Sequence, residues 1–370
     1  MLYGLARTIY LVYFHPLAKV PGPKLYAFSN IPYLYHSVRG EWPRTLKALH
    51  DKYGPVVRFT EKDVSFITAT AWKQIYGHKN HGEESFQKDK RQYRTTLTGY
   101  PTIITADNID HRRIRRLLAH AFSEQALRGQ GDIVKQYIDL FITQLKERAE
   151  RGELVDMVRW YNFTTFDIIG DLAFGEPFGC LQSGGYHPWV AMIFDTIKYV
   201  SHNHVFKRIP SLQFLKPFVM PKKLIGRFSE QYRLATETVQ KRLESGDTTR
   251  EDFMTYILRH NDEKGMAPGE IIETFYTLII AGSETTATLL SGVTFNLLTN
   301  RAVYRKVVQE VRGAFENEDD ITFQKVSQLK YLIAVLTEST RLYPAVPTAL
   351  PRLTPAGGKF IEGYWIPEEV

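Results

Sequence analysis

Apolar residues recur at helical spacing along most of this chain, with polar residues on the opposite face. One stretch departs from that pattern by having almost no polar face. From Pro268 to Thr299, residues such as Phe275, Ile279, Leu289, Val293 and Leu298 leave no side of a helix polar, and a helix apolar all round is a buried one. Pro268 suits the first turn, where its missing N–H costs nothing, and Glu270 and Glu273 lie toward the positive end of the dipole. At ~1.5 Å per residue the helix spans about 48 Å.

Into this rod the sequence sets Ala281-Gly282-Ser283-Glu284-Thr285-Thr286. An unpaired buried carboxylate is expensive, and Gly costs about 1 kcal/mol against Ala inside a helix. Ala281 and Thr285 share a face, with Gly282 and Thr286 beside them. The Thr285 hydroxyl either bonds back to the Ala281 carbonyl or leaves it to water. Two readings stay open on spacing alone. One is a polar turn against another helix, with Glu284 reaching solvent. The other is a proton-handling site against a planar cofactor.

The remaining periodicities predict a mainly α fold with small β-sheets. Helices are expected at 41–53, from 72, at 110–121, through 133–145, at 158–174, 188–209 and 221–245, before 260, through 303–311, and at 329–343. Residues 56–60 and 64–70 alternate as two paired strands, and 357–366 reads as a hairpin. Residues 77–109 have weak periodicity and read as a long loop of the functional kind.

Composition changes this picture in three places. The chain has 370 residues, 44% of them hydrophobic, enough for one large domain or two medium ones. The single cysteine, Cys180, excludes an intrachain disulfide framework and argues for a reducing compartment. It has no Cys or His at ligand spacing and reads as structural. The net charge of +7 suits a membrane surface, an acidic protein or nucleic acid. Nucleic acid is the weakest of these, because the basic residues are dispersed and form no known module.

Residues 1–14 are apolar apart from Arg7 and Thr8. They are too short for a span of about 20 residues and lack a signal cleavage site. They read as an anchor stub or interfacial segment, or as an ordinary first helix or strand. Pro16, Pro21, Gly22 and Pro23 then form a stiff connector, so the chain divides into 1–15, 16–23 and a domain over 24–370.

Candidate chemistry is sparse elsewhere. Arg112, Arg113, Arg115 and Arg116 cannot all be buried, and from charge alone read as a solvated basic face. His202 and His204, two apart, point to different helix faces and suggest no metal. Glu338 and Arg341 at i, i+3 are worth about 0.3–0.5 kcal/mol at a surface and say little alone.

Three features together resemble the cytochrome P450 family, the heme-thiolate monooxygenases. Residues 281–286 match its central-helix pattern Ala/Gly-Gly-x-Asp/Glu-Thr-Thr/Ser. Glu338-Ser339-Thr340-Arg341, followed by Leu342-Tyr343-Pro344, resembles its Glu-x-x-Arg helix. The Pro/Gly connector resembles the hinge of microsomal members, and the flanking text is most similar to fungal ones acting in secondary metabolism.

The resemblance implies the family's α+β fold, with heme b as cofactor. Thr285 and Glu284 would deliver protons. Arg115, Arg352 and His111, the last standing where Trp is usual, would hold the heme propionates. Ala281 and Gly282 would lie against the ring, and Glu338 and Arg341 would brace the fold. Leu97, Tyr100, Phe275, Val346 and Thr348 would shape the pocket, under a roof formed by 188–209 and 221–245. Implied partners are a lipophilic substrate, O2, and a flavoprotein reductase docking on the remaining arginines, at the cytosolic face of the endoplasmic reticulum membrane. The family's Phe-x-x-Gly-x-x-x-Cys-x-Gly loop, source of the iron's thiolate, is expected after the last hairpin and is not met by Val370. The expectation is therefore a family fold without its heme-ligand part and without normal monooxygenation by these 370 residues. The alternative is a non-catalytic helical binding protein.

Overall fold

The computed structural model describes residues 2–80, 83–91, 93, 96, 99–219, 222–246, 250, 252–262 and 265–370. The first part carries α1 (Leu2–Ile9), α2 (Lys24–Phe28), α3 (Ile31–Val38) and α4 (Trp42–Tyr53). Then follow β1 (Val56–Arg58), β2 (Val64–Phe66), α5 (Ala69–Tyr76) and β3 (Gln87–Lys88). The middle is helical: α6 (Asn108–Ala121), α7 (Glu124–Gly129), α8 (Gly131–Glu150), α9 (Met157–Phe174), α10 (Cys180–Ser183), α11 (Pro188–Arg208), α12 (Lys216–Val219), α13 (Lys222–Ser245), α14 (Phe253–Arg259) and α15 (Pro268–Thr299). Last come α16 (Arg301–Ala314), α17 (Phe323–Val326), α18 (Lys330–Leu342), β4 (Arg352–Leu353), β5 (Lys359–Ile361) and β6 (Tyr364–Ile366). This is the mainly α architecture with small sheets that the periodicities predict.

The core forms where α9 lies antiparallel along α15. Tyr161 Oη meets Thr294 Oγ1 at 2.7 Å, Ile169 packs on Gly282, and the Phe174 and Phe275 rings lie 6.1 Å apart. Around this pair, α6, α8, α11, α13 and α14 contribute Leu117, Tyr137, Ile193, Val239 and Met254. α15 is long and apolar enough to cross a membrane by length and composition, yet its first half is wrapped in this core. Its second half is a correction to the all-round burial expected above. Phe295 is 68% exposed and Leu298 64%, because α16 and α18 cover only part of that stretch.

Among the described residues the sheets are three antiparallel pairs, β1–β2, β3–β4 and β5–β6. β3 lies inside the expected loop of 77–109. Two residues carry no periodicity, so the strand exists only through its partner β4, with Lys88 opposite Arg352. α6 begins at Asn108 because Asp107 caps it, accepting from the amides of Ile109 and Asp110 at 2.9 Å.

The N-terminal segment is fastened to this frame. Arg58 is buried and donates to the carbonyls of Leu11 (2.9 Å), Ala27 (3.2 Å) and Glu61 (2.8 Å). A Cβ on Gly22 would lie 2.2 Å from the Arg58 carbonyl oxygen, so the connector must be glycine there. Arg7 pairs with Glu61 at 2.6 Å, while Leu2, Tyr3 and Leu5 of α1 stay exposed.

Candidate functional site

The polar turn of α15 divides its residues between two faces. Ala281 and Thr286 are exposed and Ser283 is buried. The Thr285 hydroxyl donates to the Ala281 carbonyl at 2.6 Å, and Ser283 makes the same back-bond to Ile279 at 2.6 Å. Of the two options read from sequence, the back-bond is the one present. Gly282 faces α9, where a Cβ would sit 2.7 Å from Ile169 Cδ1. The glycine thus lets two helices approach, a different use from the planar group expected above it.

Glu284 is partly exposed, yet one of its carboxylate oxygens is enclosed. Its Oε1 is buried with no hydrogen-bond partner, and burial raises its carboxyl above the usual range. Its charge acts on Tyr186, whose phenol is pushed up first by burial and then by Glu284. An acid held toward its neutral form therefore stands one residue from the Thr285 alcohol.

A second constellation forms where α6 faces the β3–β4 pair. His111 is half-buried, and its imidazole is pushed down by burial, then by the charges of Lys88, Arg115 and Arg352. Lys88 is pushed down to about 8 by burial and by Arg352, with Asp107 acting the other way. Its Nζ donates to the Ile103 carbonyl at 2.9 Å. Arg352 Nη1 donates to Tyr93 Oη, and its guanidinium lies 5.2 Å from the centre of the Tyr76 ring. Arg115 itself is exposed. His111 and Arg115 stand one turn apart on α6, and Arg352 of β4 is near enough for its charge to act on the imidazole. Lys88, Tyr93 and Tyr76 join them unannounced by any motif, and only the β3–β4 register could have pointed to Lys88.

Arg113 corrects the expectation that the remaining arginines face a partner. It turns inward, donating to Glu270 at 2.9 Å and to the Gly265 carbonyl at 2.6 Å. Its pairing with Glu270 and Asp110 raises its pKa, and Glu270, lowered chiefly by Arg113, also accepts from the Ala267 amide at 2.9 Å. This ties α6 to the start of α15. Arg112 and Arg116 remain exposed.

Other expected residues scatter. Glu338 and Arg341 pair at 2.6 Å, both exposed on α18. Tyr100 covers Gly269, at the first turn of α15 and far along it from Ala281. Phe275 is fully buried in the core. Val346 is exposed, and Thr348 lines a cavity of about 510 Å³ with Phe66, Trp72, Tyr76, Arg352 and Val370. Leu97 and the His202 side chain lie outside the described residues.

Heme, the cofactor implied by the resemblance, carries two carboxylates on a planar ring. The basic groups on α6, β3 and β4 suit such a dianion, because Arg352 acts on Lys88, and Lys88, Arg115 and Arg352 all act on His111, to push each down. Cys180 does not suit the iron. It is fully buried, its Sγ accepts from the His187 amide at 3.3 Å, and burial pushes its thiol up to about 11. Among the described residues no group of three or more His, Cys, Asp or Glu is placed to hold a metal ion.

A sequence model described as Cytochrome P450 matches residues 20–370. The chain is similar to cytochrome P450 monooxygenase efuB of Hormonema carpetanum, 43% identical over 374 residues, covering 100% of this chain and 74% of that protein. It is 44% identical over 368 residues to cytochrome P450 monooxygenase aclL of Aspergillus oryzae, covering 99% and 75%. It is also 44% identical over 362 residues to the trichothecene C-4 hydroxylase of Trichoderma arundinaceum, covering 97% and 71%.

Proposed function

Because this chain belongs to the cytochrome P450 family of monooxygenases, we propose that it binds heme b and serves the oxidation of a lipophilic small molecule. Hydroxylation of a fungal secondary metabolite is the reaction class we assign, in line with the hydroxylase named among its relatives. O2 is the second substrate and a flavoprotein reductase the electron donor, with exposed Arg112 and Arg116 among the cations offered to an acidic partner. The exposed Leu2, Tyr3, Leu5 and Tyr13 support contact with a membrane surface, which we place at the endoplasmic reticulum.

The observation that carries this reading is an unpartnered acid, Glu284, beside an alcohol, Thr285, on the turn that exposes Ala281. When bound, heme supplies the iron at which O2 is reduced and the substrate oxidised. The protein's own part is to hold and move protons and to hold the cofactor's carboxylates. Glu284, kept toward its neutral form by burial, is the proton store. The Thr285 hydroxyl releases the Ala281 carbonyl to pass a proton outward. Arg115, Arg352 and His111 hold the carboxylates, and Ala281 leaves room beside Thr285.

One observation favours a second reading, a non-catalytic helical binding protein: the enclosed, protonated Cys180. The purified 370-residue chain, supplied with heme, reduced and exposed to carbon monoxide, separates the readings. We expect heme uptake without a thiolate-type Soret band. Such a band would overturn the assignment of Cys180 as structural. No uptake at all would overturn the heme-binding reading and leave the second one.

A further inference from the structure

The enclosed Oε1 of Glu284 has neighbours that follow from how α9 crosses α15. Ile169 packs on Gly282 and Tyr161 meets Thr294, so the stretch of α9 between them runs beside Glu284 and the turns after it. That stretch carries Phe163 and Phe166. The Tyr186 ring stands edge-on to Phe163 at 4.9 Å. Phe194 of α11 lies 6.3 Å from Phe166 and 5.3 Å from Tyr186, closing the ring in from the other side. The backbone beside it is held as well. His187 caps α11, accepting from the Trp189 amide, and its own amide donates to Cys180 Sγ at 3.3 Å. Tyr186 is thus a fixed phenol, near enough to α15 for the charge of Glu284 to act on it.

Both groups need a partner in this setting. A half-buried phenol ordinarily spends its hydroxyl on a hydrogen bond, yet among the described residues Tyr186 makes none. Neutral Glu284 tolerates enclosure. The carboxylate left once it has passed its proton toward Thr285 does not, and requires a donor. The gap between the two side chains is wider than a direct bond, the arrangement in which one water bridges two polar groups. The phenol also keeps its proton throughout that exchange. Burial pushes it up first, then the charge of Glu284 on α15, with Asp156 at the cap of α9 and Cys180 of α10 acting the same way and exposed Arg159 of α9 opposing them.

We propose that Tyr186 is a positioning residue for Glu284, its hydroxyl donating to a water that in turn donates to Oε1 of the charged form. The proposal rests on the reading of Glu284 as a proton store and deepens it, naming the group that receives the store once emptied. No bond to Tyr186 breaks, since the proton that moves belongs to Glu284 and leaves on the Thr285 side.

The test is an infrared titration of the cofactor-free 370-residue chain. Subtracting the spectrum of Glu284→Gln isolates the carboxyl band of Glu284 and gives its midpoint. A hydrogen bond to the charged form lowers that midpoint, so Tyr186→Phe, which keeps the ring, should raise it by about one pH unit, the tenfold scale of one such bond. Phe163→Leu, which loosens the ring and keeps the hydroxyl, should move it far less. An unmoved midpoint in Tyr186→Phe, or an equal rise in Phe163→Leu, would overturn the proposal and leave the proton store standing. A midpoint within the ordinary carboxylate range in the unaltered chain would overturn both.

The reciprocal measurement needs no change at Tyr186. In protein labelled at the tyrosine ring carbons, the Tyr186 Cζ resonance should shift as Glu284 titrates and stay still in Glu284→Gln. A resonance that moves alike in both chains, or in neither, would count against the pairing.

Discussion

Glu284 shows how much one residue can carry. A carboxylate oxygen buried without a partner is costly, and burial raises its pKa. The sign of the linkage follows directly. A folded-state pKa above the unfolded value means the native chain holds the extra proton, so stability falls as pH rises from the unfolded value to the folded one. Glu284→Gln removes that loss. It should stabilise the fold at pH 7 by on the order of 1 kcal/mol in urea denaturation, with the gain shrinking once the pH drops below the normal carboxylate range. A variant no more stable at pH 7 than the unaltered chain would mean that Glu284 has a partner in solution.

Among the elements, α9 and α15 set the framework, and Gly282 is their contact point. An added Cβ would stand 2.7 Å from Ile169 Cδ1 and 3.0 Å from its Cγ1. Gly282→Ala should cost about 1–3 kcal/mol through overpacking, despite alanine's better helix propensity. Ile169→Val removes the closer atom, so the double variant should recover part of the loss. Full additivity of the two changes in thermal unfolding would mean that they do not meet. The elements themselves were mostly readable: α15 runs over the residues its periodicity and Pro268 mark, and α9 and α18 end within a residue or two of expectation. The misses have a common cause. β3 exists by pairing with a strand over two hundred residues away, and α2 and α3 are short helices held by the aromatic cluster of Tyr26, Tyr33 and Trp42.

Across the molecule, helix α11 is tied at its end to the N-terminal part. Arg208 Nη1 meets Asp63 at 2.6 Å, Lys207 reaches the Tyr93 carbonyl at 2.6 Å, and His204 Nε2 lies 3.0 Å from Tyr33 Oη. Burial, reinforced by Arg208, pushes His204 down to about 4. A histidine held neutral in the fold binds its proton more readily when unfolded. Its contribution is whole above about pH 6.5 and is lost as pH falls toward 4. Stability should therefore drop by about 2–3 kcal/mol across that window, and His204→Gln should flatten the drop. An unchanged slope in the variant would place the acid sensitivity elsewhere.

By itself the sequence determined the helical class, the bounds of α15, its acid–alcohol turn and the family resemblance. Each of these rests on local spacing, since periodicity, caps and motif order are properties of neighbouring residues. Only the tertiary structure decided what the side chains meet. It turned Gly282 toward α9 and Arg113 toward Glu270, enclosed Glu284 Oε1 without a partner, and set Lys88 opposite Arg352 on one strand pair. The reason is physical: direction, burial and the approach of like charges depend on elements far apart in the chain, and no spacing along one segment encodes them.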